Sequence, residues 1–216
     1  DLRSPLSGVY GVLQTVRMAP VDEEKKQQLL AMAEKSAADV LQMIESLLQL
    51  HRFKQGKSSA AREVVQPYLL LAELVKPLAA SLGEKKLKLM NALAPDWQIN
   101  TDVALLRHVL RNLLTNAIKY SRPEGEIRIA AAGQNPPAIA VSDTGVGMDA
   151  RQVAAVLGQA RAVSTTGTGG EKGSGLVLAI CREMLHNEGG ALLVQSEPGK
   201  GSTFTIQLPA NHAVSP

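Results

Sequence analysis

The stretch LLRHVLRNLLTNAIKYS, residues 105–121, decides the fold. Val109, Leu110, Leu113, Leu114, Ala117 and Ile118 recur with the spacing of one buried helical face. Asn112, Asn116 and Lys119 fall at i, i+4 and i+7 on another face. A strong helix from Thr101 to Tyr120 follows, with Thr101 or Asp102 as its cap. Around it the chain alternates short β-like runs with helices. REVV (62–65) and LKLMNAL (87–93) read as strands, separated by a helix from about Pro67 to Leu82 that bends at Pro77. EIRIAAA (126–132) and AIAVSD (138–143) form an adjacent strand pair, and GLVLAICREMLHNEGG (175–190) a helix stopped by glycine. ALLVQSE (191–197) and GSTFTIQLP (201–209) make a terminal hairpin. Residues 62–209 are therefore expected to build one α/β layer of mixed strand order.

The chain upstream of this domain has a different rhythm. Leu2, Leu6, Val9, Leu13 and Val16 advance by alternating fours and threes. So do Leu30, Ala33, Ala37, Val40, Ile44, Leu47 and His51, after a break at residues 19–22. That alternation draws a narrow seam, the mark of a coiled coil or helical bundle. Residues 1–57 thus read as a helical hairpin, and two copies are expected to pair into a four-helix bundle. The alternative is a hairpin packed on the rest of its own chain. FKQGKSSAAR (53–62) reads as a hinge near Gly56. The whole is an α+β protein.

Composition narrows the function. No apolar run approaches the length of a membrane span, so any membrane tether lies upstream of Asp1, and a cytoplasmic setting is expected. The single cysteine, Cys181, sits among apolar helical neighbours as a small core residue, consistent with a reducing compartment. The net charge of +3 comes from scattered pairs such as Lys25-Lys26 and Lys85-Lys86, read as solvated helix faces. With three Tyr, two Phe and one Trp, the chain lacks the concentrated basic, aromatic surface that nucleic acid needs.

Three local patterns carry chemistry in combination. Amide oxygens at Asn112 and Asn116 are hard ligands suited to Mg²⁺, and Lys119 suits the phosphates such an ion bridges. In VSDTGVGMD (141–149) a strand ends at Asp143, and Gly145 and Gly147 allow left-handed turns and close approach of a flat ligand. A carboxylate there accepts a hydrogen bond from the adenine amine and repels the guanine oxygen. GEKGSGLVLAI (170–180) sets Gly173 and Gly175 at the mouth of a helix, where amide groups hold phosphate oxygens. Asp149 to Gly175 reads as a long glycine-bearing loop, a lid over a ligand.

NLLTNAIKYS, DTGVGM, GSGLVLAI and EGGALLVQSEPGKGSTFTIQLP, in that order, resemble the ATP-binding module of sensor histidine kinases. The preceding hairpin resembles that family's dimerisation and phosphotransfer domain. The resemblance implies a sandwich of the histidine kinase and GHKL ATPase type, with ATP and Mg²⁺ as cofactors. It also implies a homodimer and a response-regulator receiver domain as partner. DLRSPL (1–6) matches the family's H-[DE]-L-R-[ST]-P-L from its second position, so the phospho-accepting histidine is expected immediately before Asp1. Asp1, Arg3, Ser4 and Pro5 then belong to the catalytic stretch, Asp1 holding one imidazole nitrogen and Pro5 bending the helix. By resemblance Asn116 holds Mg²⁺ with Asn112 supporting, and Lys119 and Tyr120 border phosphate and nucleotide. Asp143 reads adenine, while Gly145, Gly147, Lys172, Gly173, Ser174, Gly175, Leu176 and Thr203 complete the nucleotide site. The chain departs from the family pattern at Val177, where a third glycine is usual, and in a lid without aromatics. Two rival readings are a nucleotide-free scaffold that docks a response regulator and a GHKL ATPase that is not a kinase.

Overall fold

A computed structural model describes residues 3–18, 22–54, 62–158, 165–166, 168, 172–173 and 176–209. The chain divides into two compact units, Asp1–His51 and Arg52–Pro216. In the first, helices α1 (Arg3–Met18) and α2 (Glu23–Lys54) carry the two apolar series from Leu6 and from Leu30 onward. Asp22 starts α2 as an N-cap, its carboxylate accepting from Lys25 N at 2.8 Å. Of the seam, Ala33 and Val40 are buried, whereas Leu6, Leu13, Ile44 and Leu47 stay between 37% and 51% exposed. α1 is described from Arg3, so the bend expected from Pro5 against residue 1 lies outside the described residues, as does the hinge near Gly56.

The second unit opens with β1 (Glu63–Val65), which pairs antiparallel with β3 (Ile99–Thr101). Between them α3 (Pro67–Val75) passes through one turn of 3₁₀ helix at Lys76–Leu78 into α4 (Ala79–Glu84). The break falls at Pro77, whose missing N–H and ring cannot continue an α-helix, as the sequence implied. Then come β2 (Lys88–Asn91), α5 (Val103–Tyr120), β4 (Glu126–Gln134) and β5 (Pro137–Asp143). The chain closes with α6 (Ala150–Val156), β6 (Thr165–Thr166), β7 (Lys172–Gly173), α7 (Leu176–Asn187), β8 (Ala191–Glu197) and β9 (Gly201–Gln207). The main sheet has the order β2-β4-β5-β9-β8, with β2 parallel to β4 and the other pairs antiparallel.

α5 is the centre of the core. Leu105, Leu106, Val109, Leu110, Leu113 and Leu114 are fully buried, because α3 and α7 flank the helix and β5 lies beneath it. Strand alternation gives the sheet one helix-covered face, on which Ile139, Val141 and Asp143 of β5 stand opposite Ile206, Phe204 and Ser202 of β9.

Two expectations need correction. The segment from Asp149 is not loop throughout. Asp149 and Gln152 form a reciprocal capping box, each backbone N–H bonded to the other's side chain at 2.8 Å, and this starts α6. Further on, Thr165–Thr166 pairs antiparallel with Lys172–Gly173. Thr101, a candidate cap, is instead the last residue of β3; Asp102 caps α5, its Oδ1 accepting from Leu105 N at 3.0 Å.

Candidate functional site

The DTGVGM segment leaves the end of β5 and is stitched down on two sides. Val146 N donates to Tyr120 O, the last carbonyl of α5, at 3.1 Å. On the other side Gly199 N donates to Val146 O at 2.7 Å and Met148 N to Ser196 Oγ at 2.8 Å, fixing the loop to the β8–β9 turn. Both glycines are required by these contacts. A Cβ on Gly145 would stand 2.3 Å from Tyr120 O, and one on Gly147, whose φ is +67°, would stand 2.0 Å from Glu197 O.

Asp143 is buried at the floor of this corner. Its Oδ1 accepts from Gly145 N at 2.8 Å, and the backbone N–H of Ser202 also bonds to the carboxylate. Burial raises its pKa above the ordinary value of 3.8, while those two N–H groups pull it partly back. The sign of the linkage follows. A carboxyl whose folded pKa is raised binds its proton more readily folded than unfolded, so it opposes folding above the raised pKa, and that penalty disappears as pH falls below 3.8. Asp143→Asn is therefore expected to raise the melting temperature of the nucleotide-free chain at neutral pH and to erase the gain in acid. The same change is expected to weaken adenine nucleotides, a pairing of effects that calorimetry and titration read separately.

Along α5 the predicted stripe separates into different environments. Asn112 is buried, with its Nδ2 donating to His108 O at 2.9 Å and to Cys181 Sγ at 3.4 Å. It thus locks α5 to α7, a support beneath the site rather than an open ligand position. Burial pushes the Cys181 thiol up to about 12, so it packs and does not react. One turn on, Asn116 is half-buried and makes no side-chain hydrogen bond among the described residues, leaving a hard amide oxygen available. Lys119 Nζ stands 5.7 Å from the centre of the Tyr120 ring, at the helix end where the DTGVGM loop attaches.

The remaining predicted residues distribute as follows. Lys172 and Gly173 form β7, and Leu176 is the first residue of α7, with Val177 next in its opening turn. Ser174, Gly175 and Asp1 lie outside the described residues; Arg3, Ser4 and Pro5 occupy the first turn of α1. Thr203 lies apart from the Asp143 corner. It pairs with Ser142 across the ladder, and their hydroxyls meet at 2.9 Å on the sheet face opposite Asp143. Ser202 is the β9 residue that shares the Asp143 face. The two-residue period of strands, applied to the pairing register, separates the two.

Sequence reading also passed over Ser196 and Lys85. Ser196 Oγ donates to Gly201 O at 2.9 Å while receiving Met148 N, and no linear motif marks it. Lys85, read as a solvated charge, is half-buried with its Nζ on the carbonyls that end α5. Among the described residues no helix is long and apolar enough to cross a membrane, and no three His, Cys, Asp or Glu side chains gather as a metal cluster.

A mixed five-stranded sheet under α5 and α7, with its buried carboxylate where β5 meets the end of α5, is an α/β sandwich. Comparison with known proteins gives the family. Residues 101–212 match the family described as histidine kinase-, DNA gyrase B- and HSP90-like ATPase, and residues 1–56 match the His Kinase A (phospho-acceptor) domain. The chain belongs to this family and is a sensor histidine kinase core. The circadian input-output histidine kinase CikA of Synechococcus elongatus is 29% identical over 232 residues, a match covering all of this chain and 29% of CikA. Among solved structures, the Acinetobacter baumannii histidine kinase AdeS superposes with a TM-score of 0.72 at 21% identity, covering 97% of each chain. Full-length ShkA in complex with AMPPNP gives 0.64 at 25% identity, over 99% of this chain and 44% of ShkA. The chain spans under a third of the length of the curated relatives it matches.

Proposed function

We propose that this chain binds Mg²⁺-ATP between the end of α5 and the inner face of the sheet. From there it transfers the γ-phosphoryl group to a histidine immediately preceding Asp1, and thence to an aspartate of a response-regulator receiver domain. The observation that carries the reading is Asp143: a buried carboxylate, fixed by Gly145 and Ser202, at the junction with the helix end bearing Asn116, Lys119 and Tyr120. A buried carboxylate with a raised pKa costs stability and marks a functional corner. The AMPPNP bound by the structurally similar ShkA supports the choice of nucleotide.

In this reading Asn116 supplies an amide oxygen to Mg²⁺, Asn112 braces the helix, and Lys119 neutralises phosphate charge. The ion, when bound, offsets charge on the β- and γ-phosphates. Gly145 and Gly147 let the loop backbone lie close to the base, and the N-terminus of α7, which begins at Leu176, is assigned to phosphate. Asp1 accepts a hydrogen bond from one imidazole nitrogen, leaving the lone pair of the other to attack the γ-phosphorus. The P–O bond to the β-phosphate breaks, ADP leaves with that electron pair, and the imidazolium proton passes to Asp1. The domains act as residues 1–57 and 62–209. The exposed seam of Leu6, Leu13, Ile44 and Leu47 supports a homodimer closed through the hairpin, which would bury it. The core works in the cytoplasm. The match of residues 1–56 to a phospho-acceptor domain weighs against a GHKL ATPase without kinase activity.

Titration with a fluorescent ATP analogue tests the site. Saturable, Mg²⁺-dependent binding displaced by ATP and not by GTP is expected. Its absence leaves the scaffold reading.

A further inference from the structure

The C-terminal end of an α-helix leaves four backbone carbonyls without helical partners and carries roughly half a negative charge. At α5 all four are accounted for. Ser121 N donates to Ala117 O at 3.0 Å as the last helical bond, and beyond it Tyr120 O accepts from Val146 N at 3.1 Å and Ser121 O from Thr168 Oγ1 at 2.8 Å. The other two, Ile118 O and Lys119 O, accept from Lys85 Nζ at 2.8 and 2.9 Å. Lys85 comes from the turn after α4, more than thirty residues away in sequence. The same ammonium donates to Thr168 Oγ1 at 2.7 Å. Thr168, between β6 and β7, returns its own N–H to Lys119 O at 3.2 Å, and its hydroxyl proton is shared between Lys119 O and Ser121 O at 2.9 and 2.8 Å. Among the described residues Ile118 O, Lys119 O and Thr168 Oγ1 are the ammonium's contacts shorter than 3 Å, and Ser121 O lies further off at 3.5 Å.

We propose that Lys85 is a positioning residue for nucleotide binding: seated on the last carbonyls of α5 and on the Thr168 hydroxyl, it clasps Thr168 to the helix end that bears Asn116, Lys119 and Tyr120. This rests on the nucleotide site proposed above. The end of α5 presents its negative pole where that reading places a triphosphate, an arrangement that repels the ligand unless the carbonyls are occupied by donors. Lys85 occupies two of them with a full positive charge and joins to them a residue from the segment that precedes α7. Without it Thr168 keeps only neutral hydrogen bonds, and the ordered arrangement becomes one state among several. Affinity then falls in proportion to the lost population.

The test uses the full chain with K85M, which keeps the aliphatic stem, T168V, which keeps the shape, K85R, which restores a cation, and the double variant. K85M is expected to speed hydrogen exchange at the Thr168 amide and to weaken the fluorescent ATP analogue about tenfold. The buried α5 amides around Leu110 and Leu113 keep their protection. T168V shifts both readouts in the same direction, the double variant is no worse than K85M alone, and K85R recovers most of the affinity. Wild-type affinity in K85M, or uniform acceleration of exchange across α5 and Thr168 alike, overturns the clasp. A wild-type chain that fails to bind the analogue overturns the nucleotide site itself, a failure distinguishable from normal binding by K85M.

Discussion

Asn116→Asp is expected to slow phosphoryl transfer by about a hundredfold and to leave thermal unfolding within about 2 °C of wild type. The exchange is close to isosteric at a half-buried position whose amide makes no side-chain hydrogen bond among the described residues, so the fold loses little. What changes is charge. A carboxylate placed beside a triphosphate adds a repulsion of about 4 kcal/mol per unit charge at 4 Å in a medium of effective dielectric ~20. Stronger ligation of Mg²⁺ by carboxylate recovers part of this, which leaves a net loss of roughly two orders of magnitude. Circular dichroism melting and a phosphorylation assay on the same preparation read the two halves. Activity within threefold of wild type, as an order-of-magnitude bound, would remove Asn116 from the site.

Gly147→Ala is expected to cost stability and nucleotide binding together. The left-handed φ of +67° costs an alanine about 1–2 kcal/mol before any contact is considered. Its Cβ would then stand 2.0 Å from Glu197 O and 2.7 Å from Glu197 C, both backbone atoms of β8 that no rotamer change can move. Relief requires the loop to leave the β8–β9 turn, which breaks the Gly199–Val146 and Met148–Ser196 hydrogen bonds. The sum is about 3–4 kcal/mol, or a fall of roughly 10 °C in the melting temperature for a domain of this size. The Gly147 variant thus differs in kind from Asn116→Asp, which spares the fold.

The parts of the fold that were legible in the sequence are those where one physical rule acts alone. α5 announced itself because its apolar face is long and periodic, and the bend at Pro77 because proline has no N–H. The β4–β5 and β8–β9 hairpins followed from adjacent apolar runs. β3 was missed because three residues are too few to show a two-residue period against the cap signal of Thr101-Asp102. α6 was missed although Asp149 and Gln152 carried a capping box, because the glycines further along suggested loop.

At the site the motif residues were visible one by one, but their arrangement was not. That Asn112 braces α7 through Cys181 depends on which helix packs against α5, and no linear spacing encodes it. Thr203 and Ser202 are neighbours in the same motif, and only the register Asp143↔Ser202 shows which of them faces the carboxylate. Lys85 was the least legible of all. Its role exists only because the turn after α4 folds back onto the end of a helix formed later in the chain.

In the proposed reading the nucleotide site feeds a histidine standing just ahead of DLRSPL. The direct measurement is to incubate a chain extended upstream of Asp1 with γ-labelled ATP and Mg²⁺, and to map the label by mass spectrometry. An acid-labile, base-stable phosphoryl group is expected on the residue immediately before Asp1. Label on any other residue, or none at all from a chain that binds the nucleotide, would contradict it.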